Sequence, residues 1–191
     1  VREAFRRRGH DAISCDLAPA EDDSPYHLLG DVLPVAYGSP IRGSQWDLMI
    51  AHPPCRYLSR AGARFTHEPG REEKRAEAMQ FFLALANAPV PRRCIENPEG
   101  YPRHAYRAPD QVINPHEFGH QERKKTLLWL INLPPLFASL ICVPEESRFV
   151  DRGGKARYFT DAPSGCRDRS VMRARTFTGI AEAMANQWGS L

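Results

Sequence analysis

Trp46-Asp47-Leu48-Met49-Ile50-Ala51 runs directly into His52-Pro53-Pro54-Cys55. The run 46–51 is compact and apolar, as in a strand buried on both faces. The two prolines that follow must end the ladder, because neither can donate a backbone N–H. A cysteine placed directly after them is displayed by a stiff segment rather than packed into a core.

Working outward, Glu72 to Asn87 (EEKRAEAMQFFLALAN) is the clearest helix, with acids in its first turn and Pro89 as its stop. Arg93-Cys94-Ile95 reads as a short strand closed by Glu96-Asn97-Pro98, and Thr126 to Leu133 (TLLWLINL) as another, stopped by Pro134-Pro135. Toward the start, residues 2–8 read as a helix closed by Gly9, and Asp11 to Leu17 as a strand with an acid near its end. Residues 18–30 look like a loop leading to Gly30-Asp31-Val32, residues 143–172 are polar without periodicity, and Gly179 to Trp188 is the last helix. Strands alternate with helices, and the polar residues of interest fall just after the strands. The expected class is therefore α/β, an open sheet whose ligands sit beyond the carboxyl ends of its strands.

At 191 residues the chain is long enough for one domain with a real core. No apolar run approaches the roughly 20 residues that cross a bilayer, and no signal peptide opens the sequence, so no membrane partner and a cytoplasmic location are expected. The net charge of +3 is compatible with nucleic-acid binding without arguing strongly for it. Arginines cluster at 6–8, at 123–125 with two lysines, and at 167–175; the first cluster reads best as a solvated helix face. Five cysteines, odd in number and without a CxxC pair, point to free thiols and to no metal site.

Cys55 alone reads equally well as a nucleophile or as an incidental residue in a turn. Glu96-Asn97 shifts that balance, because it too follows a strand, and in a parallel sheet both loops would open on one edge. A thiol and a carboxyl facing one pocket suit addition to an electron-poor ring. The thiolate attacks carbon 6 of a pyrimidine, and an acid at ring nitrogen 3 stabilises the charge that develops.

Pro53-Pro54-Cys55-Arg56-Tyr57-Leu58-Ser59 resembles the Pro-Pro-Cys-Gln-x-x-Ser segment of cytosine carbon-5 DNA methyltransferases, and Glu96-Asn97-Pro98 resembles their Glu-Asn-Val. The similarity is greatest to the short enzymes of phages and prophages. Further matches are Pro109-Asp110-Gln111, Phe118-Gly119-His120, Lys125 to Leu130, and Gly179 to Trp188, so the resemblance spans nearly the whole chain. It implies a Rossmann-like fold using S-adenosylmethionine and acting on a flipped cytosine in double-stranded DNA. Cys55 would be the nucleophile and Glu96 its carboxylate partner. Arg123 would help to hold the base, with Arg173-Ala174-Arg175 as a competing source of that arginine. Asp16 would hold the cofactor's ribose and Asp31 its adenine amine, joined by Pro53; Pro54, Asn97 and Ser59 would lie on the side of the base. A helix cap or a loop acid is the alternative for either aspartate.

The sequence also departs from that pattern. The family opens with a strand and a glycine turn, whereas Val1 already falls in what should be the next helix, so the first strand is expected to be missing. Truncation is the favoured explanation, and divergence the other. His52 stands in a lead-in that usually contains glycine and reads as a loop histidine. The domain plan is a catalytic domain over 1–142 and 173–191 around a target-recognition insert at 143–172, in a monomer. Two other readings stay open: a non-catalytic DNA-binding relic, and a methyltransferase acting on RNA or nucleotide pyrimidines.

Overall fold

The structure, a computed structural model, describes residues 1–38, 45–65, 67–144, 149–150, 153–154, 156–157 and 176–191. In chain order the elements are α1 (Arg2–Arg6), β1 (Ser14–Asp16), β2 (His27–Leu29), α2 (Val32–Tyr37) and β3 (Leu48–Ala51). A 3-10 turn at Arg60–Phe65 leads to α3 (Arg71–Ala86), β4 (Arg92–Pro98), α4 (Pro102–Ala105), β5 (Gln111–Ile113) and β6 (Thr126–Ile131). Two short strands, β7 (Phe149–Val150) and β8 (Ala156–Arg157), precede α5 (Thr178–Trp188). The chain divides into two compact units, one of Ala12–Val112 with Thr126–Pro135, the other of Val1–Asp11, Ile113–Lys125 and Leu136–Leu191.

The first unit is mixed α/β. Its main sheet has the order β3-β4-β6-β5, with β3 parallel to β4 and β6 antiparallel to β4. The α/β class expected from the alternation is present, but the sheet is mixed rather than parallel. Strand β6 (TLLWLI) lies between β4 and β5, and Leu127, Leu128 and Trp129 are wholly buried, as an all-apolar run on both faces requires. Helix α3 covers the sheet with Met79, Phe82, Leu85 and Ala86, residues at helical spacing on one face. The Phe82 ring meets Trp129 edge-on at 5.1 Å, and the Trp129 indole donates to the Arg107 carbonyl at 2.9 Å, so its one polar atom is satisfied. Burying a side chain such as Phe82 contributes about 2–3 kcal/mol.

Several boundaries differ from the sequence reading. Within the expected loop at 18–30, His27–Leu29 forms β2, parallel to β1 with Asp16 opposite Leu29. Three residues are too few to show an alternating pattern, so the sequence carried no signal for it. Strand β4 extends to Pro98 instead of closing at Ile95, because its pairing with β6 continues through Glu96 and Asn97 to Pro98 opposite Thr126. The proline sits in the last pair, where it costs the ladder least. Strand β6 stops at Ile131; Asn132 then takes a positive φ of 54° and its amide donates to the Pro91 carbonyl.

In the second unit α1 packs on α5. Ala4 and Phe5 are buried, as are Ile180, Ala181, Met184 and Trp188. Helix α1 ends at Arg6, with Gly9 at φ 86° in the left-handed turn expected beyond it. Glu182 pairs with Arg7 and with Arg8, the latter at 2.6 Å, so the first arginine cluster serves this helix pair. Within 143–172, β7 pairs antiparallel with β8. The remainder of that segment from 158 onward, with Arg173 and Arg175, lies outside the described residues. Among the described residues no helix is long and apolar enough to cross a membrane.

Candidate active site

The parallel pairing of β3 with β4 sets the site. Ala51 is in register with Ile95, so the next residues, His52 and Glu96, are neighbours at the same sheet edge. Their side chains meet, His52 Nδ1 lying 2.7 Å from Glu96 Oε2. One proton occupies that bond whichever group carries it: an imidazole N–H donates to the carboxylate, or the carboxylic acid donates to a bare ring nitrogen. The Glu96 side chain is 14% exposed against 34% for His52, so the carboxyl is the more buried partner of the pair.

Past His52, Pro53 is buried and Pro54 and Cys55 are exposed. The segment is pinned from β4: the buried Asn97 amide donates to the Pro53 carbonyl at 2.8 Å. Asn97 Oδ1 is buried with no hydrogen-bond partner among the described residues. Beyond Cys55 the chain turns, its carbonyl accepting from Leu58 at 3.2 Å and Ser59 at 2.8 Å. It then runs beside the segment that follows Glu96. Arg60 N donates to the Glu99 carbonyl at 2.8 Å and Tyr101 N to the Leu58 carbonyl at 2.7 Å, around a Ser59–Gly100 bridge. A side chain on Gly100 would have its Cβ 2.0 Å from the Leu58 carbonyl oxygen, so this close approach needs glycine. The nearly buried Arg71 of α3 donates to the carbonyls of Arg56 and Gly62, both at 3.0 Å, which fixes the far side of the turn. An exposed thiol is thus presented on a braced segment that leaves β3, and the Glu96 carboxyl of the neighbouring β4 is oriented by an imidazole.

The other expected residues fall into place unevenly. Asp16 ends β1, and Asp31 follows β2, the parallel partner of β1, so both stand at the ends of that strand pair. Asp31 Oδ1 caps α2 by accepting from Leu33 N at 3.0 Å, and Asp16 Oδ1 accepts from Ala18 N at 2.9 Å. Each therefore has a local structural role, the alternative raised for a lone aspartate. Pro53, Pro54, Cys55, Ser59, Glu96 and Asn97 all belong to the first unit, where Asn97 and Pro53 are in direct contact, whereas Arg123 is an exposed residue of the second. His52 is the residue that sequence reasoning set aside; the usable signal was its position one step past the strand, level with Glu96 in a parallel pair.

The thiols differ in kind. Burial pushes the Cys94 thiol well up, with the Glu96 and Asp110 carboxylates adding to the effect, so it stays an inert core group. The Cys15 thiol is raised by burial and then by Asp16 and Asp31. Cys55 is the exposed one among Cys15, Cys55, Cys94 and Cys142. Comparison with protein-family models and with curated proteins finds no match to this chain.

Proposed function

We propose that this chain is the catalytic part of a DNA (cytosine-5-)-methyltransferase that works through a covalent Cys55 adduct in a Rossmann-like, S-adenosylmethionine-dependent fold. The observation that carries the reading is that β3, which leads into Cys55, and β4, which holds Glu96, are adjacent parallel strands, with the Asn97 amide of β4 donating to the Pro53 carbonyl. The strand arrangement supports the fold. Strands β3 and β4 run parallel, β6 reverses against β4, and β1 with β2 form a separate parallel pair ending in an acid.

The chemistry follows from the residues in place. A stacked cytosine is out of reach of Cys55, so the base must be flipped from duplex DNA, at a cost of a few kcal/mol. The Cys55 thiol gives up its proton to solvent water, and its sulfur bonds to carbon 6. Glu96, entering as the carboxylic acid, donates its proton to ring nitrogen 3, which neutralises the charge arriving on the ring, and the carboxylate left behind accepts from His52. Carbon 5 becomes electron-rich, and S-adenosylmethionine, when bound, supplies the electrophilic methyl group. Loss of the carbon 5 proton to a base then expels the sulfur and returns the nitrogen 3 proton to Glu96. Asp16 and Asp31 would hold the cofactor. Their exposed carboxylates each have one oxygen engaged by a backbone N–H, which leaves the second for a ribose hydroxyl or an adenine amine.

Methyl transfer to duplex DNA tests the reading. Wild type incubated with the labelled methyl donor yields 5-methyldeoxycytidine on digestion, and Cys55→Ala yields none. Equal product from both proteins would exclude the covalent route, and DNA binding without product would favour a non-catalytic relic.

A further inference from the structure

Beside the Cys55 and Glu96 segments lies a cleft of about 400 Å³, walled by Tyr57, Arg60, Arg71, Arg75, Glu99 and Tyr101. Its size falls in the range of about 300–1,000 Å³ typical of small-molecule sites. Three guanidinium groups face one carboxylate, and that carboxylate, Glu99, is already paired with Arg103 at 3.0 Å. Arg75 stacks over the Tyr101 ring at 4.7 Å and pairs with the exposed Glu72 at 3.2 Å. Arg71 stacks over Tyr57 at 4.8 Å, with its donors committed to backbone carbonyls and to Glu68 at 3.6 Å. Stacking holds a guanidinium flat and leaves its in-plane donors for an anion. Arg60 is exposed, and its guanidinium makes no hydrogen bond or ion pair among the described residues.

We propose that this cleft holds the DNA strand next to the flipped base, with a backbone phosphodiester on Arg60 and Arg75 and the neighbouring nucleotide against the tyrosine–arginine stacks. Position along the chain supports this. Tyr57 is two residues past Cys55, a span of at most about 7 Å. That is on the scale of one to two nucleotide steps at about 3.4 Å of rise each. The cleft floor is the same backbone pairing, around Ser59 and Gly100, that braces Cys55 against Glu96. A strand seated there would therefore be registered against the thiol by the protein's own hydrogen bonds. The inference rests on the reading that Cys55 attacks a nucleic-acid base.

The test is the salt dependence of binding of a fluorescent, cytosine-containing duplex oligodeoxynucleotide to the full chain. Arg60→Gln is expected to weaken binding roughly tenfold and to lower the slope of log K against log salt by about 0.9, one phosphate contact on duplex DNA. Arg60→Lys keeps the slope, and Lys74→Gln, on the exposed face of α3 outside the cleft, leaves it unchanged. An Arg60→Gln slope equal to wild type, or an equal loss in Lys74→Gln, overturns the proposal. The parallel readout is exchange of the cytosine carbon 5 hydrogen with solvent. Exchange by wild type with no slope change in Arg60→Gln removes the cleft proposal and keeps the Cys55 reading. An Arg60-dependent slope without exchange keeps the cleft as a DNA site and removes Cys55 as a nucleophile. No binding by wild type removes both.

Discussion

At the scale of single residues, the His52–Glu96 bond separates a displayed cysteine from a site. At 2.7 Å the imidazole fixes which way the carboxyl faces, so in the proposed mechanism His52 acts through Glu96. We expect His52→Ala to lower the rate of carbon 5 hydrogen exchange on cytosine about 10- to 100-fold, the range for a misplaced catalytic group. The affinity for DNA should stay nearly constant. His52→Asn, which keeps a donor near the Nδ1 position, should recover much of the rate; equal losses in both variants would mean that His52 does not position Glu96. Cys55 and Glu96 were legible as candidates because each is expected to follow a strand, although Glu96 lies within β4 rather than past it. His52 was not, because a histidine beside prolines looks like a loop residue until the register of β3 on β4 places it level with Glu96.

Individual elements were legible in proportion to their length and burial. Helix α3 and strand β6 are long, apolar and periodic or continuous, and both appear where the sequence places them. Strand β2 and helix α2, of three and six residues, carry too little pattern to be read and depend on partners already in place. The reversal of β6 against β4 is also silent in sequence, since a doubly buried strand reads the same in either direction. Between elements, the closest backbone approach at the site is at Gly100. Gly100→Ala forces its new methyl group against the Leu58 carbonyl and parts the segments that follow Cys55 and Glu96. Overpacking of this kind costs about 3 kcal/mol, to be read from the denaturant midpoint of unfolding. An unchanged midpoint would show that the two segments are not locked there.

The α1–α5 pair gives a pH dependence with a definite sign. Hydrogen bonds from Arg7 and Arg8 hold the Glu182 carboxyl below its ordinary value near 4.5, so the folded state releases this proton more readily than the unfolded state. The resulting stabilisation is present above the unfolded value and is lost as pH falls through the lower folded one. Because the pair is partly exposed and screened by salt, it contributes about 1 kcal/mol or less. Glu182→Gln should therefore lower stability at neutral pH and match wild type in strong acid, as measured by thermal unfolding across pH; a constant difference at all pH values would contradict the pairing.

For the molecule as a whole, the α/β class and the edge that carries the candidate chemistry follow from the order of strands, helices and prolines. The division into two units does not, because 113–125 leaves one unit and the chain returns to it at Thr126 without any break in composition. Arg123 shows the consequence: near in motif order to the site residues, it folds with the other unit. In the proposed chemistry Cys55 adds to carbon 6 of cytosine, and one measurement reaches that step without the methyl donor. Addition makes carbon 5 take up a solvent proton, so DNA tritiated at cytosine carbon 5 releases its label to water. Wild type is expected to release the label, and Cys55→Ala to release none. Release that persists in Cys55→Ala, or that is absent from wild type with DNA bound, would contradict it.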